Sequence, residues 1–139
     1  MRGVSSAFLY DAAFVAHAKE PSGTEPLAEP TAEGRAANPF CGDEVEVAVR
    51  IDEGRIRAVA HRGRSCAIVT VSSSLIAESV RGRTSSEVRE LAAQLRGALA
   101  NGSPFPTRFA ALGPVRLLPS RHRCALLPWE ALLNALDAR

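Results

Sequence analysis

Three cysteines and one aspartate are the residues of this chain whose types and spacing fit metal chemistry. Cys41 and Asp43 lie two positions apart with Gly42 between them, and glycine permits a tight turn that aims a thiol and a carboxylate at one point. Cys66 and Cys124 follow far downstream. In a reducing cytosol, three cysteines are more naturally metal ligands or reactive thiols than a disulfide framework, which would leave one unpaired. The pair is therefore interpreted as half of a metal site.

The overall composition bounds the functional classes that fit. The chain has 139 residues, which matches one domain large enough to bury a core without disulfides. Its net charge is only +2, from 17 basic and 15 acidic residues, so long-range attraction to nucleic acid is not indicated. There is no run of about 18 apolar residues and no signal-peptide pattern at the start. We expect a single cytoplasmic domain over residues 1–139, with neither nucleic acid nor a membrane as a partner.

Apolar periodicity predicts the first half of the fold. A first helix is expected from a cap at Ser5 or Ser6 to Lys19. Residues 20–39 contain several prolines and glycines and few large apolar groups, which predicts a mobile loop that delivers Cys41. Alternation over residues 44–52 and 55–61, with turn residues between them, predicts a β-hairpin. The face expected to be buried carries Val45, Val47, Val49, Ile51, Ile56, Ala58 and Ala60.

Helices dominate the second half of the prediction. Ser65 is expected to cap a helix that ends near Arg81, and a capping box at Thr84 opens the next helix. Residues 105–119 are predicted to form a short helix and a bend. A last helix, capped by Ser120, is expected to kink or to begin in earnest at Pro128.

This order of elements predicts an α+β fold in which a small antiparallel sheet packs against helices. Cys66 falls at a predicted loop-to-helix junction, and Cys124 falls near the start of the last helix. Helix N-termini favour a thiolate because their free N–H groups carry partial positive charge. All three cysteines could therefore converge on one metal.

Three motifs in this order resemble a known family. They are Asn38-Pro-x-Cys41-Gly42-Asp43, then Gly63-x-x-Cys66-Ala67-Ile68 before the serines at 72–74, then Arg121-x-x-Cys124-Ala125-x-Leu127-x-Trp129-x-Ala131-Leu132. Together they are similar to the U-type iron–sulfur assembly proteins, and the SufU branch is the closer match. In that branch the segment between the second and third cysteines is longer than in IscU-type scaffolds. Those scaffolds also have a histidine where this chain has Arg123.

The resemblance implies a zinc site made by Cys41, Asp43, Cys66 and Cys124, in an IscU/SufU-like fold. It also implies a protein that accepts persulfide sulfur from a PLP-dependent cysteine desulfurase of the SufS type and serves a downstream iron–sulfur scaffold. Under this interpretation the chain is a zinc-dependent sulfurtransferase, and Cys41, on its mobile loop, is the persulfide acceptor. Arg121 is the candidate to hold Asp43 or to stabilise the sulfur anion.

Two other functions use the same residues. An iron–sulfur cluster scaffold is the first, because thiolates suit iron as well as zinc. A noncatalytic interaction module, in which zinc only closes the fold, is the second. Metal content and a desulfurase assay separate these functions.

Several other residues with chemical potential are interpreted structurally. His61 is expected to face solvent at a strand end, and His17 and His122 are also assigned to the surface. The serines at 72–74 have no paired base in the sequence, so they are interpreted as close helix packing. Trp129 is assigned to the core.

Overall fold

The computed structural model describes residues 12–138, which form a three-stranded antiparallel sheet in the order β1-β2-β3 together with four helices. The strands are β1 (Ala32–Asn38), β2 (Asp43–Asp52) and β3 (Arg55–Arg64). The helices are α1 (Ala12–Lys19), α2 (Ala67–Ser79), α3 (Ser85–Asn101) and α4 (His122–Ala138), with 3₁₀ segments over Thr107–Leu117 and Pro119–Arg121. The predicted α+β class is confirmed, whereas the predicted start of the first helix at Ser5 or Ser6 lies outside the described residues. Within residues 12–138, none of the helices has the length and apolar character that crossing a membrane requires.

The β2–β3 hairpin confirms the alternation in the sequence. Val45, Val47 and Val49 are buried, with relative exposures of 3%, 1% and 0%. One detail of the prediction is wrong. The register shifts beside Arg50, so β3 carries one more residue than β2 there. The irregularity puts Val59, rather than Ala58, opposite Val49 on the core face, because an extra residue reverses the order of inward and outward side chains.

The strand β1 corrects the prediction of a loop over residues 20–39. It pairs with β2 along its whole length, from Ala32 opposite Val49 to Asn38 opposite Asp43. A Cβ on Gly34 would come within 2.1 Å of the Ala131 carbonyl oxygen of α4. Packing this close to a helix requires small residues, and these have little intrinsic strand preference. The composition of β1 therefore resembles that of a loop.

Residues 20–31 remain irregular, but Ser22 ties their start to two neighbouring elements. Its backbone N–H donates to Ser74 Oγ at 2.9 Å, and its hydroxyl donates to Glu78 Oε2 at 2.6 Å, both on α2. Its carbonyl oxygen lies 2.6 Å from His61 Nε2 on β3. The His61 backbone N–H donates to the Gly23 carbonyl oxygen at 2.8 Å. The prediction that His61 faces solvent is therefore wrong, because its ring contacts the loop and burial lowers its pKa.

The remaining helices match their predicted places, with two corrections. The Thr84–Glu87 capping box is present, and α3 is followed by Gly102 in the left-handed conformation. Ser120 lies within the 3₁₀ segment and makes no cap for α4. The last helix does not begin at Pro128, because α4 already starts at His122 and continues through the proline. Its Trp129 is fully buried in the core against Phe109, with ring centroids 5.4 Å apart.

Candidate metal centre

Cys41 lies in the tight turn that joins β1 to β2, rather than in a long loop. Asn38, the last residue of β1, shapes this turn. Its side-chain Oδ1 accepts a hydrogen bond from the Phe40 backbone N–H at 3.1 Å, and its carbonyl oxygen accepts from the Gly42 N–H at 2.9 Å. Gly42 has a φ of 76°, a conformation that glycine adopts at little cost. The turn exposes Cys41 and leaves the Phe40 side chain 92% exposed.

Asp43 connects this turn to the N-terminal end of α2. It is the first residue of β2 and is only 7% exposed. Its Oδ1 accepts a hydrogen bond from the Cys66 backbone N–H at 3.0 Å. Its Oδ2 accepts one from the Cys41 Sγ at 3.1 Å. The carboxylate is therefore held by a backbone group on one side and directed toward a thiol on the other.

Cys66 and Cys124 are contributed by the starts of two helices, as the sequence predicts. Cys66 is the N-cap residue of α2 and makes no side-chain cap hydrogen bond, and Cys124 lies in the first turn of α4 with 2% exposure. The expected cap residue Ser65 instead lies 3.1 Å from Thr70, hydroxyl to hydroxyl. Burial, followed by the neighbouring Cys66, raises the pKa of the Cys124 thiol to about 11. A metal that binds this sulfur must therefore displace a firmly held proton.

Three of the four predicted ligands lie together. One potential ligand atom each from Cys41, Asp43 and Cys124 lies within 4.8 Å of the other two. Cys66 does not belong to that group of three, although its thiol is close enough to interact with Cys124. Two sulfurs and a carboxylate oxygen, with a third sulfur adjacent, are a donor set that zinc accepts. The residues present therefore fit a zinc ion.

Arg121 is next to these thiols. It ends the 3₁₀ segment that leads into α4, and its backbone N–H donates to the Leu118 carbonyl oxygen at 2.8 Å. A hydrogen bond to the Cys124 side chain, together with the charges of the cysteines when ionised, raises the pKa of Arg121. The guanidinium therefore lies near the cysteine sulfurs, and its suggested role in holding Asp43 or stabilising a sulfur anion stays a prediction.

The three histidines are engaged elsewhere. His122 Nε2 lies 3.3 Å from the Arg116 carbonyl oxygen, and His61 contacts the Ser22 loop. His17 Nδ1 is 2.7 Å from the hydroxyl of Ser74, which is 0% exposed. The sequence provided no sign of this histidine–serine pair, because 57 residues separate its members. The exposed Phe40 beside Cys41 was also missed, since one apolar residue in a turn has no periodicity that marks it.

Comparisons with known proteins agree with the family resemblance found in the sequence. The family model of the NifU-like N terminal domain matches residues 9–137. The iron–sulfur cluster assembly scaffold protein IscU of Streptococcus pyogenes serotype M1 is 34% identical over 105 residues, which span 71% of this chain and 65% of that protein. The zinc-dependent sulfurtransferase SufU of Bacillus subtilis (strain 168) is 25% identical over 99 residues, spanning 68% of this chain and 67% of that protein.

The fold comparison covers more of the chain. The crystal structure of the N-terminal part of a nitrogen-fixing NifU-like protein from Brucella abortus superposes with a TM-score of 0.85 and 29% identity. The match covers 95% of this chain and 94% of that one. The sheet and helices described above are therefore those of a solved fold.

Proposed function

Because this chain belongs to the family of NifU-like N-terminal domains, the U-type iron–sulfur assembly proteins, we propose that it accepts persulfide sulfur from a cysteine desulfurase. The acceptor is Cys41, and the reaction depends on zinc. One observation carries the proposal. The Cys41 thiol is exposed, yet its sulfur is 3.1 Å from Asp43 Oδ2 and within 4.8 Å of the Cys124 sulfur. A thiol in this position can meet a second protein while it shares a metal with buried donors.

The zinc ligands in this proposal are Cys41, Asp43, Cys66 and Cys124. Three thiolates and one carboxylate supply the four donors of a tetrahedral site. When bound, zinc would keep the cysteines ionised near neutral pH and leave the centre with a formal charge of about −2. Arg121, whose pKa is raised by the neighbouring Cys124 side chain, would offset part of that charge.

The transfer step is a thiol–persulfide exchange at Cys41. Its thiolate attacks the outer sulfur of a cysteine persulfide on the desulfurase, so that a new S–S bond forms on Cys41. The S–S bond of the donor breaks, and its electron pair leaves on the donor cysteine as a thiolate. Sulfur and electrons balance without an external oxidant or reductant. The Arg121 guanidinium lies close enough to the cysteines to stabilise the anionic persulfide that results.

The variant Cys41→Ala tests the acceptor role. We expect zinc to stay bound, because Asp43, Cys66, Cys124 and a water molecule still complete four positions. We expect stimulation of a SufS-type cysteine desulfurase, measured as alanine release from cysteine, to disappear. The one-sulfur mass increase of the wild-type protein after turnover should disappear as well. Ser120→Ala, an exposed change beside Arg121, is the matched control and should keep both signals. Undiminished stimulation by the Cys41→Ala protein would overturn the proposal.

An iron–sulfur cluster scaffold is the second candidate function. It is favoured by the Streptococcus pyogenes relative, which is named as a scaffold protein and whose identity of 34% exceeds the 25% of the zinc-dependent sulfurtransferase. In this case the assembled cluster is the cargo of the same cysteines. Metal content and the visible absorption spectrum of the purified protein separate the two. Zinc with no visible bands supports the sulfurtransferase, whereas iron with sulfide-to-iron bands supports the scaffold.

A further inference from the structure

A buried hydrogen bond connects the two helices that present Cys66 and Cys124. The Ser72 hydroxyl on α2 donates to the Ala125 carbonyl oxygen on α4 at 2.6 Å, and Ser72 is 0% exposed. Cys66 is the N-cap residue of α2, and Ala125 directly follows Cys124. The bond therefore joins the helix that positions one thiol to the residue next to the other.

This bond lies where α4 lacks a backbone hydrogen bond of its own. Pro128 is inside the helix and has no N–H, so the Cys124 carbonyl, four residues earlier, lacks its usual helical donor. Ser72 binds the next carbonyl along, that of Ala125. A side chain from α2 thus supports the first turn of α4 at the point where proline weakens it.

The two serines beside Ser72 do not share this role. The Ser73 hydroxyl is buried and has no hydrogen-bond partner among the described residues. The Ser74 hydroxyl instead accepts from the Ser22 N–H and pairs with His17 of α1. Within this run, only Ser72 links α2 to α4. Ser73 therefore provides a control with the same side chain, the same helix and the same burial.

We propose that Ser72 is a positioning residue that holds Cys124 at the separation from Cys66 that metal binding needs. The proposal rests on the proposed function, because it concerns the same ligands. Loss of a hydrogen bond next to a metal ligand lowers metal affinity because the ligand must then be ordered as the metal binds. Ser72 acts through its hydrogen bond to the Ala125 carbonyl, next to Cys124, rather than as a ligand.

Zinc affinity, measured by competition with a chelator, is the first test. Ser72→Ala should weaken binding roughly tenfold or more. Ser73→Ala should change it by less than about twofold, because its hydroxyl has no partner to lose. Ser72→Thr keeps a hydroxyl and should recover most of the affinity. Equal affinities for the Ser72→Ala and Ser73→Ala proteins would overturn the proposal.

A second test needs no metal and separates this proposal from the proposed function. In a Cys41→Ser background, Cys66 and Cys124 are the only thiols left, so capture of phenylarsine oxide reports how well the two are held together. Ser72→Ala should weaken capture by about tenfold. Thr84→Ala removes the capping box of α3 and lowers stability, and it should leave capture unchanged.

The two measurements together give distinct outcomes. Weak zinc binding by the wild type, with capture that still depends on Ser72, would remove the metal function and keep the positioning role. Capture that falls equally in the Ser72→Ala and Thr84→Ala proteins would indicate general destabilisation and would overturn the positioning role. Capture that is independent of Ser72 would overturn it as well.

Discussion

The two halves of the candidate centre are built for opposite properties. The hairpin half consists of β1, β2 and the turn between them. It presents Cys41 in that exposed turn, next to Phe40, which is 92% exposed. The helix half consists of the starts of α2 and α4. It holds Cys124 at 2% exposure, where burial raises the pKa of the thiol. A sulfur that must meet another protein needs exposure, whereas a sulfur that must retain a metal benefits from a rigid, dry environment. In the proposed function, sulfur exchange therefore belongs to the exposed turn and metal retention to the buried helix starts.

The halves meet along β1 and α4. Gly34 brings the β1 backbone close to Ala131 and Ala135, and the Asn134 side chain donates to the Arg35 carbonyl oxygen at 2.9 Å. Asp43 makes the second junction through the Cys66 N–H. The strands on both sides of the exposed turn are therefore anchored, β1 to α4 and β2 to the start of α2. The tip of the turn is open to solvent.

The strongest way to break this arrangement is Gly34→Ala. The new Cβ would lie 2.1 Å from the Ala131 carbonyl oxygen and 2.2 Å from the Ala135 nitrogen, and neither backbone atom can move freely. We expect the free energy of unfolding to fall by about 3 kcal/mol, measured by urea denaturation. Gly113→Ala is the matched control, because nothing lies within 4 Å of its added Cβ, and it should change stability by less than about 0.5 kcal/mol. Equal stabilities for the two variants would contradict the close β1–α4 contact.

A smaller effect should come from Phe40→Ala, which tests the outward role of the hairpin half. Phe40 is 92% exposed, so its truncation should leave the zinc content unchanged. The free energy of unfolding should change by less than about 0.5 kcal/mol. An exposed aromatic side chain beside the proposed acceptor Cys41 is suited to insert into a partner. We expect the half-saturating concentration in the desulfurase assay to rise about tenfold. Phe40→Leu keeps an apolar group and should retain most of the interaction. A half-saturating concentration unaffected by Phe40→Ala would remove this residue from the docking surface.

The smallest expected effect concerns pH and the loop before β1. Burial lowers the pKa of His61 in the folded protein, so the unfolded chain takes up this proton first as the pH falls. The associated stability is complete above the ordinary histidine pKa of about 6.5 and is lost progressively below it. The free energy of unfolding should therefore fall more between pH 7.5 and pH 5 for the wild type than for His61→Gln. His17 and His122 are common to both proteins. The same loss in both would show that His61 contributes nothing to the acid sensitivity.

Prediction from the sequence succeeded where a residue pattern has one physical cause. The valines of β2 alternate because one face of a strand is buried, and Thr84 with Glu87 satisfies backbone N–H groups that any helix start leaves free. It failed for β1, whose half-buried positions Ala32, Gly34 and Ala36 are small where α4 lies against the strand. It also failed for His61, which is engaged by a loop nearly forty residues earlier in the chain.

The residue types of the centre, their order along the chain and the α+β class of the fold all follow from the sequence alone. Motif spacing and local periodicity are sufficient for these, since both depend on neighbours along the chain. The folded structure was needed to show that Cys41 is exposed on the turn between β1 and β2 and that Cys124 is buried beside Arg121. It was also needed to show that Ser72 connects the two thiol-bearing helices. Burial and long-range hydrogen bonds depend on which distant surfaces pack together, and no local pattern contains that information.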